Sequence, residues 1–145
     1  MVSKQVVGWQ VGASMPEELI ATALQRAFWA QPLTPGLLVH SDRGGQYCGK
    51  AYRTLLHDHG ALRSQSRRGD CYDNAQAESR WSRLKTEVLE GRERPVFADL
   101  ADAQANVANY FDYYRHERLH SSIGHQTPYH THQQLLQLSA LNCPA

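Results

Sequence analysis

The alternation of apolar and polar positions predicts a strand and then a helix near the start of the chain. Val6 to Val11 reads VVGWQV, a β-rich run that is typical of a strand. Ser14 and Glu17 stand three residues apart, as in a capping box, so we expect Ser14 to cap the helix that follows. Behind them, apolar residues recur at helical spacing: Leu19, Ile20, Ala23, Leu24, Ala27 and Phe28.

The middle of the chain predicts a strand–helix–strand unit. In order, the pattern indicates a buried strand at Gly36–His40, a polar glycine turn at Ser41–Gly45, a helix at Gly49–His59, a short strand at Ala61–Ser66 and a loop at Arg67–Asp73. We expect Tyr52, Leu55 and Leu56 to face inward from the helix and Gly60 to end it.

Two more amphipathic helices are predicted farther along. Asp73 is placed to cap the first, which runs to about Glu90 with Gln76 in the capping-box position. The second covers Phe97 to about Arg115 and has one apolar face, made of Leu100, Ala103, Val107, Tyr110, Phe111 and Tyr114. The alternation predicts a single α/β domain over residues 1–128, followed by an irregular tail over residues 129–145.

Composition indicates a folded protein with a locally basic surface. The chain has 145 residues, 41% hydrophobic and 20% charged, which argues against disorder. Its formal net charge is only +1, but residues 63–85 hold six basic side chains against three acidic ones, which favours phosphate binding. Three cysteines without a CxxC pair, no membrane-length apolar run and no signal-peptide pattern together predict a cytoplasmic protein.

Two carboxylates are candidates for metal-binding chemistry. Asp42 directly follows an apolar strand, where ligand sites in α/β sheets are common, and Gly44 and Gly45 allow a tight turn beside it. Glu78 lies in the first turns of the Asp73 helix. Taken alone, such an aspartate is usually a turn former and such a glutamate usually complements the helix dipole. Mg²⁺ prefers oxygen ligands, so two converging carboxylates would suit it.

Three segments together resemble the integrase-like catalytic core of DDE transposases from bacterial insertion sequences, a class related to retroviral integrases. They are His40–Tyr47 (HSDRGGQY), Ser66–Glu87 (SRRGDCYDNA, then ESRW and LKTE), and Tyr113–Gly124 (YYRHERLHSSIG) with Pro128 after it. Thirty-five residues separate Asp42 from Glu78, the second gap expected of this class. The match runs from about Val6 to Pro128.

The resemblance implies a ribonuclease-H-like fold, a mixed sheet flanked by helices. It makes Asp42 the second and Glu78 the third catalytic acid of a polynucleotidyl transferase. The implied chemistry is DNA cleavage and strand transfer with two Mg²⁺ (or Mn²⁺) ions, one activating the nucleophile and one stabilising the leaving oxygen.

The implied partner is DNA, both transposon ends and target. Lys85 matches a lysine of the family motif, and Arg67 and Arg68 precede the glutamate helix, so we expect phosphate contacts from all three. Trp81 lies at i+3 from Glu78, and we expect it to be a core aromatic. The resemblance also implies that the protein acts as a homo-oligomer or together with full-length transposase. It would be associated with the bacterial nucleoid when bound to DNA.

The family pattern also has a first aspartate, on an opening strand upstream of the one that Val6–Val11 resembles. Only Met1 to Gln5 precede that run, so we expect a truncated core that lacks its opening strand. Such a chain should bind its metal pair poorly and be inactive alone. An alternative is that the chain is a non-catalytic DNA-binding or dominant-negative remnant of a transposase.

A remote alternative is a zinc metallopeptidase. His116–His120 reads HERLH and matches H-E-x-x-H, whose chemistry needs both histidines on one helix face. The transposase resemblance accounts for the same residues as part of its terminal R-x-x-H-S-S-x-G pattern.

Overall fold

The computed structural model describes residues 2–31, 33–67, 75–90 and 96–141. The helices are α1 (Glu17–Ala30), α2 (Lys50–Asp58), α3 (Ala75–Leu89), α4 (Leu100–His116) and α5 (Pro128–Leu141), and the strands are β1 (Leu38–Ser41) and β2 (Leu62–Gln65). Short 3-10 turns cover Gly45–Cys48 and Ser121–Ile123. The chain forms two compact units, Val7–Leu100, and Met1–Val6 with Ala101–Ala145. No helix in the described ranges is long and apolar enough to cross a membrane.

The unit Val7–Leu100 is built on α1 and α2, which bury a common core. Phe28 of α1 and Tyr52 and Leu56 of α2 are its buried centre. Partly buried apolar residues pack around them: Ile20, Leu24, Leu33, Val39, Tyr47, Leu55 and Ala61. The apolar spacing therefore predicted the inward faces of both helices correctly. Gly60 follows α2 with a φ of +63°, a left-handed conformation that favours glycine and ends the helix.

The sheet in the described ranges is the parallel pair β1–β2, joined by the crossover through α2. Its register runs from Leu38 opposite Leu62 to Ser41 opposite Gln65. The prediction of a buried strand is only half correct, because Leu38 is 61% exposed while Val39 packs on the core. Successive side chains of a strand point to opposite faces, and one face of β1 lies against the helices.

The segment Val6–Val11 does not form the predicted strand. It pairs with no strand in the described part of the chain, and Gly8 and Trp9 instead lie against α1. The Arg26 guanidinium donates to the Trp9 carbonyl oxygen at 3.1 Å. A side chain at Gly8 would overlap the Ala23 carbonyl oxygen and lie 2.6 Å from the Ala27 nitrogen, so the backbones meet closely. The segment has β-propensity but, within the described ranges, no neighbouring strand to pair with, so part of it packs against a helix instead.

The predicted capping box at Ser14 is also wrong. Helix α1 begins at Glu17 after Pro16, and no side chain caps it. The Glu17 carboxylate instead accepts a hydrogen bond from the Tyr52 N–H at 3.1 Å, in the first turn of α2. Glu17 therefore caps the neighbouring helix, a partnership that short-range spacing does not reveal.

The second unit contains α4 and α5, and α5 corrects the prediction of an irregular tail. Pro128 opens this helix, and the Thr127 hydroxyl accepts a hydrogen bond from the His130 N–H at 3.3 Å, as an N-cap does. Residues 129–141 are therefore helical, and 142–145 lie outside the described ranges. On α4 the buried face is Ala103, Val107, Tyr110 and Tyr114, as its spacing predicted, with Leu100 exposed. The boundary at residue 128 stays a prediction.

Candidate metal and nucleic-acid site

Asp42 is the first residue beyond β1, at the carboxyl end of the parallel pair. The ladder continues one step past the strands, because the Ser66 N–H donates to the Ser41 carbonyl oxygen at 3.0 Å. The backbone just before Asp42 is therefore hydrogen-bonded to the neighbouring strand segment. This is the edge of a parallel sheet at which ligands bind in α/β folds.

The Asp42 carboxylate is half-buried and is oriented by the glycine turn. Its Oδ1 accepts a hydrogen bond from the Gly44 N–H at 2.8 Å. A Cβ at Gly44 would lie 3.0 Å from that oxygen and 2.8 Å from Gln46 Oε1, so a larger residue would make these two side-chain ends shift. Gly44 therefore makes room for the carboxylate that its own N–H holds in place.

Side chains from both strands tie down the backbone around Asp42. The Gln65 amide donates to the Asp42 carbonyl oxygen at 3.4 Å, and the Arg43 guanidinium donates to the Ser66 carbonyl oxygen at 2.9 Å. The His40 ring bridges the Ser64 and Ser66 hydroxyls at 2.9 and 3.2 Å. These hydrogen bonds restrain the backbone around Asp42 and do not involve its carboxylate oxygens.

Tyr47 lies close enough to Asp42 for the two side chains to interact electrostatically. Its ring packs edge-on against Tyr52, with 5.5 Å between ring centroids. Burial, and secondarily the negative charge of Asp42, raise the pKa of the Tyr47 phenol above its ordinary value. The site therefore combines a carboxylate with a desolvated aromatic surface.

Glu78 lies on the exposed side of α3, in the helix's first turn. Lys85, two turns on, is exposed as well, while Leu84, about 120° around the helix axis from Glu78, is buried. The prediction of a core position for Trp81 is wrong, because its side chain is 58% exposed. At 100° per residue, Glu78, Trp81 and Lys85 fall within about 60° of one another around the helix axis.

Comparison with known proteins identifies the family. Residues 1–71 and residues 59–128 each match a family described as integrase core domain. The transposase for insertion sequence element IS904 of Lactococcus lactis is 34% identical over 127 residues, which are 87% of this chain and 49% of that protein. Transposase InsF for insertion sequence IS3A of Escherichia coli is 38% identical over 127 residues, 87% of this chain and 43% of that protein. This chain belongs to the integrase core family of insertion-sequence transposases.

The integrase core spans about half the length of the curated relatives it matches. A protein of insertion element IS600 from Shigella sonnei is 36% identical over 137 residues, covering 94% of this chain and 49% of its own length. The catalytic core domain of BIV integrase matches in structure with a TM-score of 0.63 at 15% identity, over 90% of this chain and 80% of that one. This likeness confirms the predicted ribonuclease-H-like integrase fold.

The structure brings the predicted site residues into one compact unit but leaves part of the site undescribed. Asp42, Arg67, Glu78 and Lys85 all belong to Val7–Leu100, and Arg67 is exposed. Arg68, Asp73 and Asn74 lie outside the described ranges. Within those ranges, no three His, Cys, Asp or Glu side chains are grouped so as to hold a metal ion.

The HERLH segment of this integrase core does not have the geometry of a zinc peptidase. Helix α4 ends at His116, so His120 is not on the same helix face. The His116 ring packs on Tyr129 at 4.8 Å between centroids, and the buried His120 packs on Tyr114 at 4.9 Å. Both histidines are used in aromatic packing.

Sequence reasoning missed two residues that shape the Asp42 site. Gln65 carries no local signal, since its bond to Asp42 arises only when β1 and β2 pair. Tyr47 belongs to the HSDRGGQY segment, but only the 3-10 turn Gly45–Cys48 brings its ring toward Asp42 and Tyr52. Both depend on the crossover between the strands.

Proposed function

We propose that this chain is the part of a transposase core that supplies Asp42 and Glu78 as ligands for divalent metal ions in phosphoryl transfer on DNA. The observation that carries the proposal is the placement of Asp42, half-buried at the carboxyl end of β1 with one oxygen oriented by the Gly44 N–H. The helix-borne Glu78 follows at the spacing of the family motif.

The donor chemistry of these residues fits a hard cation. A carboxylate has about four lone-pair positions, and the Gly44 N–H uses one, so Asp42 keeps coordination capacity after its orientation is set. Mg²⁺ and Mn²⁺ favour such oxygen ligands and retain waters or phosphate oxygens in the other positions. Bound ions would polarise the scissile phosphate and support an attacking hydroxyl.

The basic side chains would position the DNA. Lys85 on the exposed side of α3, together with Arg67 and Arg68, would neutralise backbone phosphates near the carboxylates. The resemblance calls for a third carboxylate. In the described ranges no three His, Cys, Asp or Glu side chains are grouped to hold a metal ion, so we expect weak metal binding and no transposase activity from this chain alone.

A metal titration tests the carboxylate assignment directly. We expect Asp42→Asn and Glu78→Gln each to weaken Mn²⁺ binding by about 10-fold or more, since even outer-shell changes at metal sites commonly cost that much. The measurement is free Mn²⁺ by electron paramagnetic resonance. Glu18→Gln, at an exposed acid of α1, is the matched control and should change nothing. Unchanged affinity in both site variants would refute the assignment.

A salt titration tests the DNA contacts. On duplex DNA, Lys85→Ala and Arg67→Ala should each lower the slope of log affinity against log salt by about 0.9, because each phosphate contact releases counterions. Lys50→Ala, which removes an exposed lysine from the start of α2, should leave the slope unchanged. Equal slopes in all variants would place the DNA surface elsewhere.

A further inference from the structure

Trp81 lies on the surface of α3, although the sequence predicted a core position for it. Its side chain is 58% exposed, although α3 has a buried side at Leu84. Exposing a large aromatic surface to water is unfavourable, at about 25 cal/mol for each Å² of apolar area. Single exposed aromatics are common on protein surfaces. Trp81 differs from the more exposed Trp29 because it shares its side of the helix with Glu78 and Lys85.

The surroundings of Trp81 favour a nucleic acid as a binding partner. Lys85 lies one turn beyond Trp81 on the same side of α3 and is exposed. Cationic side chains beside an exposed aromatic are the combination with which proteins bind single strands, the cations holding phosphates and the ring stacking on a base.

We propose that Trp81 stacks on an unpaired base of the DNA strand that lies at the Glu78 carboxylate. This rests on the proposed function, which directs that side of α3 toward DNA. Residues three apart on a helix have Cβ atoms about 5–6 Å apart, so the indole reaches the nucleotide next to the one whose phosphate the carboxylate site would hold. Paired bases in a duplex offer no free face, so the ligand is a frayed or single-stranded end.

Fluorescence anisotropy with a single-stranded thymidine oligonucleotide tests the proposal on the whole chain. Trp81→Ala should weaken binding by about 5-fold to 150-fold, the range for loss of one stacked base. Trp81→Phe, which keeps a ring, should recover most of that loss. Trp29→Ala is the matched control, because Trp29 is a 78% exposed indole on α1, and it should bind as the unmodified chain does.

Salt dependence separates stacking from charge. Trp81→Ala should leave the salt slope intact, whereas Lys85→Ala should lower it by about 0.7 on single strands. An unchanged affinity in Trp81→Ala, or an equal loss in Trp29→Ala, would overturn the stacking role while the phosphate contacts stand. Absence of DNA binding by the unmodified chain would overturn both the proposed function and this inference. A dimer that dissociates in Trp81→Ala would assign the indole to a second copy instead.

Discussion

Neighbouring glycines after Asp42 have different roles at the scale of single residues. A Cβ at Gly44 would press on the Asp42 carboxylate and on Gln46 Oε1, whereas a Cβ at Gly45 meets nothing within 4 Å. The Gly44 backbone, at φ −53°, suits any residue, so the conflict lies in the side-chain space alone. The pair therefore separates a carboxylate effect from a backbone effect.

Gly44→Ala should weaken Mn²⁺ binding while the free energy of unfolding changes by no more than about 1 kcal/mol, because the crowded atoms are side-chain ends that can move. Gly45→Ala should leave Mn²⁺ binding unchanged. Electron paramagnetic resonance titration and urea unfolding provide the two measurements. Equal metal affinity in the two variants would show that the turn does not orient Asp42.

Because Tyr52 is buried, we expect the free energy of unfolding to fall at alkaline pH. Burial is the main cause that raises the Tyr52 pKa above its ordinary value. A raised folded-state pKa gives stability that is complete below the unfolded value of about 10 and is lost as pH rises through the folded value. In metal-free buffer, unfolding free energy should therefore fall above about pH 10, and less steeply in Tyr52→Phe. Tyr113→Phe, at an exposed phenol, is the control and should keep the original slope.

At the scale of elements, α1 and α2 are joined by a cap as well as by their core. The Glu17 carboxylate bonds the Tyr52 N–H of α2, and a side chain at Gly49 would overlap that carboxylate. Glu17→Ala should lower the free energy of unfolding by about 1–2 kcal/mol, as loss of a helix cap does. Glu18→Ala, at the next residue of the same helix, should cost less than half as much. Urea unfolding of both variants decides, and equal losses would leave only a general helix-dipole effect.

Local pattern was a good guide to some elements and a poor one to others. The spacing of apolar residues in α1, α2 and α4 predicted the buried faces, since a helix repeats its contacts every turn. Helix α5 was missed because its leucines (Leu135, Leu136, Leu138 and Leu141) mark no single buried face. The Thr127–Pro128 start signal was nevertheless present in the sequence.

At the scale of the whole molecule, the HERLH segment has a structural position in the fold. Its histidines pack on Tyr114 and Tyr129, and α4 ends between them. The protein purified without chelator should therefore contain well under one zinc per chain by elemental analysis, and His116→Ala should not change that content. Stoichiometric zinc that disappears in His116→Ala would restore the peptidase interpretation.

The sequence by itself determined the family, the ribonuclease-H-like fold and the inward faces of its main helices. The family and its fold follow from the resemblance that the motifs carry, and the inward faces follow from the helical period, which is a local property of the chain. Tertiary structure decided that Gly8 packs on α1, that Glu17 caps α2, and that Trp81 is exposed. Each of these depends on which distant residues come into contact, and a pattern of residue types records only the tendency to bury a side chain, not its partner.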